Sequence, residues 1–393
     1  MTERAATVLQ SISDISEADW NRCANPQSED YNPFLDHRFL AALEASGSAS
    51  AETGWQPFHL ALAEGDDVLG VVPMYLKSHS RGEYVFDSGW ADAWYRAGGE
   101  YYPKLQVSVP FTPATGRRLL AADPPSGESK GDIEDQLLGA AVQVARQIEV
   151  SSLHLTFMPE PQWQRAGKLG MLQRVDTQFH WTNAGYDSFD AFLGDLSSKK
   201  RKNIRRERRD AIANGIEIEW VTGSDLSEAH WDAFYEFYVD TGNRKWGSPY
   251  LTRSFFSLLS ENMPEQTLLI LCKRDGRYIA GAINFIGAKT LFGRNWGCIE
   301  DHRFLHFETC YYQAIDFAIA HGLDRVEAGA QGAHKIARGY MPQQTYSAHW
   351  VRDANFRKAI ERFLDDERRY VEQDIEWVEA HGPFRKDIDL GAY

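Results

Sequence analysis

Apolar residues along this chain fall into short runs whose period switches between two and about 3.6 residues, and each switch marks an element. In IEIEWV (216–221), Ile216, Ile218 and Trp220 alternate with glutamates and read as a strand. The stretch that follows, HWDAFYEFYVDTG, sets Trp231, Phe234, Tyr235 and Tyr238 at i, i+3, i+4 and i+7, one face of a helix. TLLILCKRDGRYIAGAINFIG reads as two strands about Asp275-Gly276, because Asp-Gly supplies the positive φ that a tight hairpin turn requires. TLFGRNWGC extends the sheet, FETCYYQAIDFAIAHG is a helix stopped at Gly322, and DRVEAGAQG is a short strand running into glycines. The order predicts an α/β (α+β) plan with mixed strands.

The same plan is written twice. VLQSISDISEADWNR near the N-terminus matches EWVTGSDLSEAHWDA further on, with Trp20 and Trp231 standing 211 residues apart. HRFLAALE answers TRSFFSLLSE, and Gly70 meets Gly281 at the same offset. Each copy closes on a similar strand, QFHWTN (178–183) and SAHWVR (347–352), which sets Trp181 over Trp350. A period this long means tandem domains rather than a solenoid, and 393 residues are enough for two cores. The expected division is a first unit over 1–186, a basic linker helix over 187–214, a second unit over 215–353, and a C-terminal helix and tail over 354–393.

Composition narrows the class. No apolar run of about 18 residues is present, so no membrane insertion is expected. The N-terminus lacks a signal-peptide plan, and four scattered cysteines have neither zinc spacing nor a disulfide framework, so a cytoplasmic location is expected. A net charge of −14 argues against nucleic-acid binding by the whole surface. Against that background KKRKNIRRERR (199–209) stands out, with eight basic residues and one acid, Glu207.

The element order resembles the GCN5-related N-acetyltransferase (GNAT) fold, and two such units in one chain resemble the Fem-type transferases, which add amino acids to peptidoglycan precursors. LSSKKRKNIRRERRDAIANGIEIE is similar to the basic helix that precedes the second Fem-type unit. DRVEAGAQGAHKIARGYMP is similar to the family's strand, glycine turn and Lys-containing element near the bound donor. NPFLDHRFL, HSRGEYVFD, YYPKLQVSVPFTP and HFETCYYQAI look like a FemAB-like branch of N-acyltransferases. The resemblance implies transfer of an acyl or aminoacyl group to a small-molecule amine or peptide acceptor, without a metal. The expected donor is acyl-CoA, put ahead by the acidic balance and the lack of an added RNA-binding module, with aminoacyl-tRNA, to which the basic helix points, as the alternative. A non-catalytic ligand-binding protein on the same fold is the alternative of a different class.

In a GNAT unit the fourth and fifth strands splay apart, and the loop after the fourth offers backbone N–H groups to the donor's phosphates. In the second copy that loop reads CIEDHRFLHFE, acidic and glycine-free. The first copy has Thr115-Gly116-Arg117-Arg118, so Gly116 and Arg117 are donor-binding candidates. Around the second copy's glycine turn, Gly329, Gln331 and Gly332 let backbone approach a ligand, and His334, Lys335 and Arg338 supply donors to a phosphate or carboxylate. Glu327, a charged residue on an apolar strand, is the expected base. Glu308 at a helix start is the second candidate, either base or cap. His306 and Tyr311 are reserves for proton relay, and a zinc site from His302, His306 and Glu308 lacks any further metal signature. Glu83, Asp87, Trp90 and Lys104 in the aromatic block GEYVFDSGWADAWYRAGGEYYPK, with Arg205 on the basic helix, are assigned to substrate binding.

Overall fold

The computed structural model describes residues 4–124, 127–245, 249–329 and 332–385. In chain order the first copy contains β1 (Arg4–Leu9), α1 (Glu17–Ala24), α2 (His37–Ala45), β2 (Trp55–Pro57), β3 (His59–Glu64), β4 (Asp67–Val72), β5 (Met74–Lys77), α3 (Ser88–Arg96), β6 (Lys104–Val107), β7 (Leu120–Ala121), α4 (Lys130–Gln147), β8 (Ser152–Met158), α5 (Glu160–Lys168) and β9 (Leu172–Thr182). Two helices follow, α6 (Phe189–Asp195) and α7 (Ser198–Ala211). The second copy contains β10 (Ile216–Thr222), α8 (Glu228–Lys245), α9 (Arg253–Asn262), β11 (Thr267–Arg274), β12 (Arg277–Ile286), β13 (Thr290–Cys298), α10 (Leu305–Phe307), a π-helical turn Glu308–Tyr312, α11 (Gln313–Ala320), β14 (Arg325–Ala328), a 3-10 turn Ala333–Arg338 and β15 (Met341–Val351). The chain ends on α12 (Ala354–Ala380).

These elements gather into two compact units, one holding residues up to Ser28, Phe34–Thr177 and Gln344–Gln373, the other holding Glu29–Pro33, Gln178–Gln343 and residues from Asp374 on. In the first unit β1-β3-β4-β7 form an antiparallel sheet, and β2-β5-β6-β8-β15 are joined with β6 parallel to β8. Leu105, Val107, Leu153 and Leu155 alternate onto one face and pack with Ile133 and Leu137 of α4. In the second unit the order is β10-β11-β12-β13-β14-β9, with β13 parallel to β14. Leu268, Ile270, Leu291 and Val326 pack there with Ala314 and Ile315 of α11.

The closing strands are exchanged. In the second unit Trp181 of β9 lies opposite Val326 of β14, whereas in the first unit Trp350 of β15 lies opposite Leu153 of β8. The units therefore do not follow the expected sequence boundary at 186, nor does α12 form a separate piece: it belongs to the first unit up to Gln373 and to the second beyond it. A strand is held by the edge it completes, and its place in the repeat does not decide which edge that is.

Trp20 and Trp231 occupy matching places, each fully buried on the first helix of its copy. The glycine match is out of register. A side chain at Gly70 would meet Leu137 and Ile133 of α4, whereas one at Gly281 would meet Phe234 of α8. In a strand, opposite faces mean an odd shift, so the 211-residue offset does not hold through the hairpin.

Candidate active site

In the second unit the parallel strands β13 and β14 are paired only from Thr290 opposite Arg325 to Gly293 opposite Ala328. Beyond that point β13 continues to Cys298 against β12 alone among the described residues. Two local features part the strands. A β-bulge in the β12–β13 ladder makes Arg294 the extra residue of β13, and Gly329, at φ +75°, turns the chain away from the end of β14. The result is a notch at the carboxyl ends of a parallel pair.

Side chains alternate across this notch. Val326 faces α11, so Glu327 faces the opposite side, where α8 lies against β12 and β13. Glu327 is 5% exposed and shares a cross-strand row with Phe292 and His180. Its Oε2 lies 3.9 Å from His180 Nε2, and its Oε1 lies 3.9 Å from Arg325 Nη1. His180 donates from Nε2 to Gln178 Oε1 at 3.2 Å, and its Nδ1 has no hydrogen-bond partner among the described residues. Burial, with Arg325 and Lys335 adding to it, pushes the His180 imidazole down to about 3, so the ring is neutral.

The α11 side holds the other candidates. Glu308, in the π-helical turn, is buried and accepts both Arg208 Nε at 3.2 Å and Arg208 Nη2 at 2.9 Å, with Gln313 Nε2 at 2.8 Å. Burial raises the Glu308 carboxyl while Arg208 opposes it, and the bidentate ion pair gives the residue a structural task. Tyr311 and His334 are linked at 2.8 Å, and the His306 ring packs edge-on against both Trp296 and Tyr311. Arg338 is turned inward, over the Phe307 ring at 3.5 Å and onto Glu207 at 3.0 Å. Lys335 is buried and donates to the Gly329 carbonyl at 2.8 Å, and burial pushes its ammonium down to about 8. The three expected donors thus go to three different acceptors of the protein itself rather than converging on an open anion site. Gly332, at φ +120°, starts the 3-10 turn, and Gln331 lies outside the described residues.

Helix α7 has two faces. Ile204, Glu207, Arg208 and Ala211 form the inner stripe, which anchors Glu308 and Arg338. Lys199, Lys202, Arg205, Arg206 and Arg209 are exposed, and at 100° per residue they share one face about 120° wide. Arg205 reaches Asp190 at 2.9 Å, and Arg209 meets Asp210 at 2.8 Å; Lys199, Lys202 and Arg206 make no ion pair among the described residues.

Among the described residues, the candidate donor loops of both copies are engaged by the protein itself. After β13, Glu300 accepts His302 at 2.8 Å and Arg274 at 3.0 Å and is held below its ordinary range by these partners, so this loop's carboxylate is engaged by the protein itself. Gly297 gives no open cradle either, because a side chain there would run into the Phe237 backbone of α8. In the first unit, Ser129 and Asp132 close a capping box on the N-terminus of α4. Arg117 donates to the carbonyls of Cys23 and Ala24 at the end of α1, and the Gly116 N–H goes to Phe157.

The row equivalent to Phe292, Glu327 and His180 exists in the first unit as Gln106, His154 and His349. Its surroundings differ because residues 78–103 join β5 to β6, where residues 287–289 suffice between β12 and β13. The longer segment covers the row: Trp90 of α3 packs edge-on to His349 at 5.0 Å, and Arg174 lies over Trp90 at 5.3 Å. Beside it Lys104, fully buried, donates to Glu83 at 2.7 Å, to Ser80 at 2.8 Å and to Asp87. Glu83, Asp87, Trp90 and Lys104 are brought together as expected, but as an interior network rather than an open pocket wall. His180 is absent from the expected site residues, although FHW and AHW repeat a histidine beside each matched tryptophan.

Two units, each with a parallel strand pair crossed by a closing strand from the other copy, make a tandem GNAT-like acyltransferase fold. The chain belongs to the FemAB-like family of peptidoglycan biosynthesis/recognition, whose model matches residues 11–386. Among solved structures it is similar to FemX, at 12% identity and a TM-score of 0.55, over 91% of this chain and 100% of that one. It is also similar to the C-terminal domain (DUF2156) of a putative lysylphosphatidylglycerol synthetase from Agrobacterium fabrum, at 9% identity and a TM-score of 0.54, over 89% and 97% of the two chains. A conserved protein of unknown function from Bacteroides thetaiotaomicron aligns at 10% identity and a TM-score of 0.52, over 88% and 100%. Identities this low speak for the fold. A search of curated proteins found no match. Among the described residues no helix is long and apolar enough to cross a membrane, and no three side chains form a metal-holding group.

Proposed function

We propose that the second unit transfers an aminoacyl group from an aminoacyl-tRNA to an amine on a peptidoglycan-precursor peptide. The observation that carries this reading is the notch between β13 and β14, with a buried carboxylate on one side of the sheet and a buried ammonium at its end. Glu327, on the α8 side, takes the proton that the acceptor ammonium must lose before its nitrogen can attack; as the amide forms, the ester bond to the tRNA ribose breaks, and the second proton shed by the nitrogen leaves on the ribose hydroxyl. Lys335 supplies a charged donor to the oxygen that becomes negative as the donor carbonyl is attacked. The first unit carries no carboxylate in the equivalent row, and its row is covered, so it serves as scaffold.

The glycine-free loop after β13, with Asp301 beside the engaged Glu300, weighs against acyl-CoA, which the overall charge had favoured, and the extended exposed face of α7 supports an RNA donor instead. That face runs about 15 Å along the helix from Lys199 to Arg209, enough for successive phosphates of an RNA strand. The test is transfer to a precursor peptide, followed by mass spectrometry, with aminoacyl-tRNA and acetyl-CoA compared as donors. Glu327→Gln should reduce turnover by about 10²–10⁴-fold without altering donor affinity. Glu308→Gln should lower stability and leave chemistry intact. Efficient transfer from acetyl-CoA, or a fully active Glu327→Gln variant, would overturn the reading.

A further inference from the structure

We propose that His180, carried into the second unit by the closing strand of the first copy, is a positioning residue for Glu327, directing its Nε2–H to the carboxylate and keeping it ionised. The inference rests on Glu327 being the base, and it assigns the exchange of strands a chemical consequence.

Register comes first. His180 lies directly opposite Glu327 in the β9–β14 ladder, so the two side chains leave the same face of the sheet side by side. The hydrogen on Nε2 is fixed by Gln178 Oε1 at 3.2 Å, and the same nitrogen is 3.9 Å from Glu327 Oε2, one small movement from a shared hydrogen bond. With Nε2 carrying the hydrogen, Nδ1 is the lone-pair nitrogen, and it has no partner among the described residues although the residue is 3% exposed.

The first unit supplies an internal comparison. His349 holds the equivalent place on β15, but it faces His154 rather than a carboxylate and meets it through Nδ1 at 2.7 Å. Among the described residues, the exchanged histidine meets an acid in the second unit, where a three-residue turn stands in the place of the first unit's inserted α3.

The test is the pH profile of kcat/KM for the full-length protein with aminoacyl-tRNA and peptide acceptor. Without the donor, a buried carboxyl is harder to ionise, so His180→Ala should move the acid limb up by roughly one pH unit and lower the rate below it about tenfold. His180→Gln, whose side-chain nitrogen can take the place of Nε2, should return the limb toward wild type. This variant also carries the test if His180→Ala fails to fold. An unmoved limb and rate in His180→Ala, or a Gln variant that folds normally yet fails to restore the limb, would overturn the proposal. A fully active Glu327→Gln variant would remove the base itself, whereas an inactive Glu327→Gln beside a normal His180→Ala would remove only the part assigned to His180.

Discussion

Replacing Lys104 by Met tests whether Glu83, Asp87 and Lys104 are an interior network rather than a binding surface. Lys104 is fully buried and its ammonium is shared by Glu83, Asp87 and Ser80. Burial alone would raise Asp87, but Lys104 overrides it and holds that carboxyl well below its usual range, while burial pushes Glu83 up to about 7. Removing one partner of a buried ion group typically costs about 3–5 kcal/mol, because the carboxylates are left uncompensated. For a unit of this size, that converts to a fall in Tm of roughly 6–20 °C. The pH dependence carries a sign. In the wild type Asp87 adds stability above its unfolded pKa, which is lost as pH falls through its depressed folded value; the stabilisation from Glu83 is full below its unfolded value and is lost as pH rises toward about 7. Without Lys104 both carboxyls bind protons more tightly folded than unfolded, so the variant should become more stable as pH is lowered from about 7.5 to 5, by up to about 1.4 kcal/mol per pH unit for each proton. Calorimetric melts across that range measure it. A Tm within about 2 °C of wild type, with an unchanged profile, would refute the network and return Lys104 to an exposed role.

Gly297→Ala should destabilise by about 1–3 kcal/mol in urea melts, because its side chain would be built into the Phe237 backbone, whereas Gly194→Ala, open on all sides in α6, should be neutral or stabilising. If the Lys335 ammonium serves the oxyanion, turnover should fall as pH rises through about 8, and Lys335→Arg, which does not titrate there, should lift that limb. Reversing Arg205 and Arg206 to Glu should weaken tRNA binding and flatten its salt dependence, read by filter binding at several salt concentrations, since fewer phosphates are then neutralised.

Much of the architecture is local and therefore readable in the chain. The period of two in 216–221, the helical spacing of Trp231, Phe234 and Tyr238, and the Asp275-Gly276 turn each depend on neighbours a few residues apart, and the tandem plan follows from repeating them. Glu327 was conspicuous for the same reason, as a charge on an apolar strand. The two faces of α7 are legible too, but not the fact that Arg208 meets Glu308 and Arg338 meets Glu207, because those pairs join segments distant in the chain. Tertiary structure alone decided which edge each closing strand completes, and so placed His180 beside Glu327 and His349 beside His154. It also decided that residues 78–103 fold over the first unit's row, turning a presumed acceptor wall into a buried ion network. Hydrogen-bonded pairing and burial are settled by the competition among all edges and faces of the folded chain, and a pattern read along one strand contains no record of its partner.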